Sequence, residues 1–162
     1  MKNLFIVGAS ILQLPAIEKA KEMGLHVGVA DYNTHAVGIP YADEYFNVST
    51  INERGIYEAA RSFRADGIMT LATDMPMRSV AYACEKLGLP GISYDTAIKV
   101  TDKGEMIKAF KKSRVAHPWF YVASSEEEFN KQKKNIKYPC IIKPTDNAGS
   151  RGVILVNTSK EA

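Results

Sequence analysis

Apolar and polar positions follow two alternating periods over the first ninety residues. Stretches 4–7, 25–30, 44–48, 68–72 and 89–93 are short runs rich in apolar residues, bounded by glycine, proline or acidic residues, the pattern of buried strands. Between them, apolar residues recur three or four apart: Leu14, Ile17, Ala20 and Met23; then Ile56, Ala59, Ala60 and Phe63; then Val80, Ala83, Cys84 and Leu87. That spacing predicts three amphipathic helices, each between two strands. Pro15 is tolerated only in a first turn, so the first helix starts near 12–14. Gly24 and Gly88 are stop signals, and Asn52 is a cap for the second helix. Strands alternating with helices from 4 to 93 predict an α/β domain: a Rossmann-like parallel sheet with helices on both faces.

After Ser93 the alternation ends. A short helix is predicted over 95–100, then a second over 104–112 with apolar residues at 106, 107 and 110. Residues 118–122, Pro-Trp-Phe-Tyr-Val, read as a strand. Ser124, Ser125 and Glu128 form a capping-box pattern for a helix reaching about 134. Two apolar runs, 140–142 and 153–156, are strands flanking a polar loop, and 158–162 resembles a first helical turn. The expected organisation is a domain over 1–93, a linker with a short helix over 94–102, and an incomplete α+β subdomain over 103–162. A module that stops just after a helix start reads as the front of a longer chain.

Charge sharpens this division. The 162 residues carry a formal net charge of +3, but residues 1–102 hold 9 Lys+Arg against 12 Asp+Glu, whereas 103–162 hold 12 against 6. A basic segment raises nucleic acid as a partner. However, the lysines at 131, 133, 134 and 137 follow Glu126, Glu127 and Glu128 in one amphipathic stretch, which reads as a solvated face. No run approaches the roughly 18 apolar residues of a membrane span. The N-terminus runs into a strand and glycine rather than a cleavage site, so a cytoplasmic location is expected. Cys84 and Cys140 are far apart in apolar surroundings and read as reduced thiols, and His26, His35 and His117 lack ligand spacing, so no metal site is expected.

Two stretches carry candidate chemistry. The first is Lys143-Pro-Thr-Asp-Asn-Ala-Gly149-Ser150-Arg151-Gly152, a flexible loop with fixed cations, either an ordinary hairpin turn or a phosphate cradle. The second is the turn Gly8-Ala9-Ser10 after the first strand, with Asp31 ending the second. Strand, glycine turn, helix, strand and acid follow the order of a dinucleotide-binding unit. The second and third glycines of G-x-G-x-x-G are absent, which leaves NAD binding weakly supported. Asp31 is either a solvated strand-end carboxylate or a ligand contact.

The chain as a whole resembles the ATP-grasp superfamily, within it the carbamoyl-phosphate synthase-like and purine-biosynthetic ligases. The resemblance rests on Gly88-Leu-Pro-Gly91 closing a pre-ATP-grasp domain, Asp102-Lys103 opening the next, His117-Pro118, Tyr138-Pro-Cys-Ile-Ile-Lys143-Pro, and Gly149-Ser-Arg-Gly152-Val. It implies a carboxylate–amine ligase that uses ATP to form an acyl phosphate. ATP contacts would come from Lys103, Lys143, Gly149, Ser150, Arg151 and Gly152. Gly8, Gln13, Asp31 and Asp74 are implied at the site of a small carboxylate or amine substrate. Mg2+ is implied with ligands beyond residue 162, so no catalytic or metal residue is expected within the chain, and the 162 residues alone are expected to be inactive. The resemblance also implies dimer contacts in the first domain, which makes a homodimer an expectation. The alternatives are an NAD(P)-binding oxidoreductase domain and a non-catalytic nucleotide-sensing module.

Overall fold

Strand β1 (Asn3–Val7) sits inside a sheet of four parallel strands, in the order β3 (Glu44–Asn47), β2 (His26–Asp31), β1, β4 (Gly67–Met69). These facts come from a computed structural model that describes residues 1–147 and 149–161. Parallel neighbours need crossovers. Helix α1 (Leu14–Glu22) carries the chain from β1 to β2, a 3-10 turn at Ile39–Tyr41 lies before β3, and α2 (Glu53–Ser62) leads to β4. Helices α3 (Met77–Leu87) and α4 (Tyr94–Thr101) follow.

The period-2 pattern sends alternate strand residues to opposite faces. Phe5, Val7, Ala30 and Ile68 pack with Ile56 and Ala60 of α2 and Val80, Ala83 and Cys84 of α3. Ile6, Val27 and Val29 pack on the other face with Ile17 and Ala20 of α1. The sheet is therefore covered on both faces, as expected for a Rossmann-like α/β domain. The Phe5 ring meets those of Phe46 and Phe63 at 5.4 and 5.6 Å. A Cβ at Gly28 would come within 2.9 Å of the Phe63 ring, so glycine there allows α2 to lie close to the sheet.

The caps follow the sequence. The Asn52 side chain accepts from Gly55 N–H, and Gly88 ends α3 in the left-handed conformation. One expected strand is absent: residues 89–93 join no sheet. Leu89 N–H is bonded to Cys84 O, Pro90 has no N–H, and Tyr94 N–H is taken by Glu85, so this stretch folds back onto α3 instead of extending the sheet. Helix α4 packs on α3 within the first compact unit, Met1–Thr101.

The second unit begins at Asp102. It holds α5 (Lys103–Lys112), α6 (Glu126–Gln132) and an antiparallel pair, β5 (Cys140–Ile142) with β6 (Ile154–Val156), registered Cys140 to Val156. Ser125 Oγ accepts from Glu128 N–H at 3.2 Å and the Glu128 carboxylate accepts from Ser124 N–H at 2.7 Å, a reciprocal cap. The α-helix stops at Gln132 and tightens into a 3-10 turn over Lys133–Asn135. Residues 118–122, expected as a strand, are in no sheet among the described residues. Their aromatic side chains line a cleft instead, and β propensity reports a half-buried surface rather than a pairing partner. At the other end, Glu161 accepts from Asn157 N–H at 2.9 Å and closes a turn onto Thr158 O; Ala162 of the expected helix start lies outside the described residues. No helix of the described residues is long and apolar enough to cross a membrane.

Candidate functional site

In the second unit, the lysine that opens α5 is fixed by its own helix start. Asp102 caps α5 by accepting from Glu105 N–H at 2.9 Å. Lys103 N–H, an orphan donor at the helix terminus, goes to Thr145 O at 2.8 Å. Gly104 is buried, and a Cβ there would come within 3.2 Å of Val122 and 3.3 Å of Thr145. The start of α5 is thereby pressed against the loop after β5. From this position Lys103 Nζ donates to Asn147 O in the same loop.

Antiparallel pairing of Ile142 with Ile154 makes Lys143 and Val153 the two ends of the loop. Gly149, Ser150 and Gly152 all have left-handed backbone, with φ of 66°, 57° and 75°. Left-handed residues interleaved in a turn are how backbone N–H groups gather into an anion-binding nest. A Cβ at Gly152 would come within 2.9 Å of Pro144, so the loop returns against the residue next to Lys143. Lys143 is exposed at the end of β5.

Both lysines and Thr145 line a cleft of about 960 Å³ within this unit, whose remaining walls include Ile107, Trp119, Tyr121 and Phe129. An apolar cleft with a few convergent polar groups is the usual form of a small-molecule site. The two cations and the Thr145 hydroxyl among its lining suit an anionic ligand. Arg151 is exposed on the loop.

In the first unit, Gly8, Gln13 and Asp31 come together at the carboxyl edge of the sheet, where open α/β sheets bind ligands. Gly8 has φ of 104° and donates to Ala30 O at 2.7 Å. Asp31 is buried, with one carboxylate oxygen accepting from Ala9 N–H and the other from Asn33 N–H, each at 2.9 Å. Gln13 is 2% exposed; its Oε1 accepts from Ser10 Oγ at 2.6 Å and Ser10 N–H at 3.2 Å, and its Nε2 donates to Leu71 O. Asp74 stands apart from them, exposed in the turn before α3, where its carbonyl accepts from Met77 N–H.

Comparison with known proteins shows what the chain is similar to. The family model described as the ATP-grasp N-terminal domain matches residues 17–91. These residues are an ATP-grasp N-terminal domain. Over 156 residues, 95% of the chain, the sequence is 30% identical to alanine–anticapsin ligase of Bacillus subtilis, covering 32% of that protein. The crystal structure of phosphoribosylglycinamide synthetase from Anaerococcus prevotii is 30% identical with a TM-score of 0.75, over 99% of this chain and 40% of that one. N5-carboxyaminoimidazole synthetase from Staphylococcus aureus, complexed with ADP, shares the fold at 19% identity and a TM-score of 0.80, over 99% of this chain and 42% of that one. The chain thus spans about a third of the length of alanine–anticapsin ligase and about two fifths of these structures, and the similarity extends past the ATP-grasp N-terminal domain into the second unit.

Sequence reasoning missed Thr145 and Asn147, whose carbonyls hold Lys103, because backbone acceptors leave no residue-type signature. It also read the aromatic run at 119–121 as a strand rather than a cleft wall. Ser10, three residues before Gln13, was the available signal for a closed first turn.

Proposed function

We propose that the chain is the N-terminal portion of an ATP-dependent carboxylate–amine ligase, of the carbamoyl-phosphate synthase-like or purine-biosynthetic kind, and that Lys103, Lys143 and the 149–152 loop hold the nucleotide phosphates. The observation that carries this reading is Lys103. Its backbone N–H and its ammonium are both bonded to carbonyls of the loop that Lys143 opens and that carries the left-handed turn at 149–152, and both lysines line the apolar cleft.

The chemistry asked of these residues is positioning and neutralisation of charge. Lys143 meets the α and β phosphates as a mobile point charge, and Lys103 restrains the loop while presenting its own charge. N–H groups at 149–152 close over the terminal phosphates. The apolar walls exclude water, which strengthens each charged contact. ATP supplies the phosphoryl group that turns a carboxylate into an acyl phosphate open to attack by an amine. Mg2+ accompanies the nucleotide in this reading, and no cluster of three His, Cys, Asp or Glu side chains among the described residues could hold it. The 162 residues alone are proposed to bind nucleotide without completing ligation, because they match only part of each relative.

Calorimetric titration with a non-hydrolysable ATP analogue tests this. Lys143→Ala is expected to weaken binding roughly tenfold or more, the cost of one charge-assisted contact, with Lys103→Ala close behind. Unchanged affinity in both variants, or binding of NADH in preference to the ATP analogue, overturns the reading.

A further inference from the structure

Gly104 is the second residue of α5, and neither of the usual reasons for a glycine applies to it. Its backbone is ordinary α-helix, outside the left-handed region, so any residue could adopt it. Glycine is disfavoured in a helix relative to alanine, so helix formation does not call for it. What the position lacks is room. Gly104 is buried, and a Cβ there would meet Asp102 Oδ1 at 3.0 Å, Val122 Cγ1 at 3.2 Å and Thr145 Cγ2 at 3.3 Å.

Two of those three neighbours are what hold Lys103. Asp102 Oδ1 accepts from Glu105 N–H and starts the helix at Lys103. Thr145 supplies the carbonyl that takes Lys103 N–H at 2.8 Å. Val122 giving way would relieve only one of the three contacts. In a close-packed interior the rest of the adjustment falls on the cap or on the loop after β5. Either movement lengthens the bond from Lys103 N–H to Thr145 O, and it carries the lysine away from Asn147 O, which its ammonium also reaches.

We infer that Gly104 is a positioning residue of the phosphate site. By placing no side chain between α5 and the loop after β5, it sets where Lys103 presents its charge. This deepens the ligase reading and rests on it for the nucleotide, although the contact between α5 and the loop does not. A methyl group at 104 should weaken nucleotide binding while removing no charge and no hydrogen-bonding group.

Calorimetric titration with a non-hydrolysable ATP analogue tests this in Gly104→Ala, Lys103→Met and the variant carrying both. Gly104→Ala is expected to weaken binding roughly fivefold or more, the effect of a misplaced contact. Added to Lys103→Met it should weaken binding no further, because its effect passes through Lys103. Unchanged affinity in Gly104→Ala overturns the inference. So does a fully additive loss in the double variant, which is what general damage to the fold would give. Amide hydrogen exchange without nucleotide tests the contact itself. Lys103 N–H should be protected in the unaltered chain and should exchange at least about tenfold faster in Gly104→Ala. An unprotected Lys103 amide in the unaltered chain overturns the inference even if Gly104→Ala does not fold. An analogue that fails to bind the unaltered chain overturns the nucleotide reading and the role of Gly104 in binding with it, whereas protection of Lys103 N–H would still support the contact, so the two claims fail separately.

Discussion

The two units of this chain have the same ingredients and use them differently. In Met1–Thr101, the apolar faces of four strands meet helices on both sides, and Phe5, Ile6, Val7, Ile17, Val27 and Ile56 are completely buried. From Asp102 onward, Gly104 and Val156 are the buried residues among those described, while Ile141, Ile154 and Leu155 of the β5–β6 pair are more than half exposed. The first unit is a closed core. The second is an open cleft with cations at its mouth. A scaffold is stabilised by burial, whereas a site that admits a ligand forgoes some of that burial.

The largest effect that can break this comparison lies in the core. Phe5→Ala or Ile56→Ala should cost about 2–5 kcal/mol, the transfer loss plus the cavity left behind. Ile141→Ala, at a position 55% exposed, should fall within about 0.5 kcal/mol. Urea denaturation followed by circular dichroism measures both. Similar costs at the two kinds of position would remove the distinction.

How far the sequence foretold this division depends on which physical signal each feature leaves. The first four strands, α1 to α3, the Asn52 cap and the Gly88 stop all follow from side-chain periodicity and backbone preference, which are local. The expected strand at 89–93 failed because its apolar residues had a helix to pack on and Pro90 removes a ladder donor. The strand expected at 118–122 failed because aromatic residues suit a cleft wall as well as a sheet. Lys103 and Lys143 were legible as charges beside a glycine loop, but what holds Lys103 is a pair of carbonyls that any residue could supply. Asp31 and Gln13 were legible as residues at a strand end and a first turn. Their partners are the N–H groups of Ala9 and Ser10, backbone donors that could not be seen without the fold.

A smaller effect concerns pH. Asp43 is held below the ordinary carboxylate range, first by its hydrogen bond from Lys21 and then by Val27 N–H. A lowered pKa means that its stabilisation is present above about 3.9, the unfolded value, and is lost as pH falls through the folded one. Burial pushes the Cys84 thiol up, so its contribution is present below about 8.5 and is lost as pH rises through the higher folded value. Melting temperature against pH should therefore fall at both ends, with the acid limb flattened in Asp43→Asn and the alkaline limb in Cys84→Ala. Limbs unchanged by both substitutions would show that these groups do not govern them.

The division of labour between a closed core and an open cleft is tested most directly by mapping where a non-hydrolysable ATP analogue acts on the whole chain. The account predicts amide shifts centred on Lys103, Lys143 and 149–152, with the Gly8, Ala9 and Ser10 amides unmoved. Shifts centred on Gly8, Ala9 and Ser10 instead, with the 143–153 loop unmoved, would contradict it.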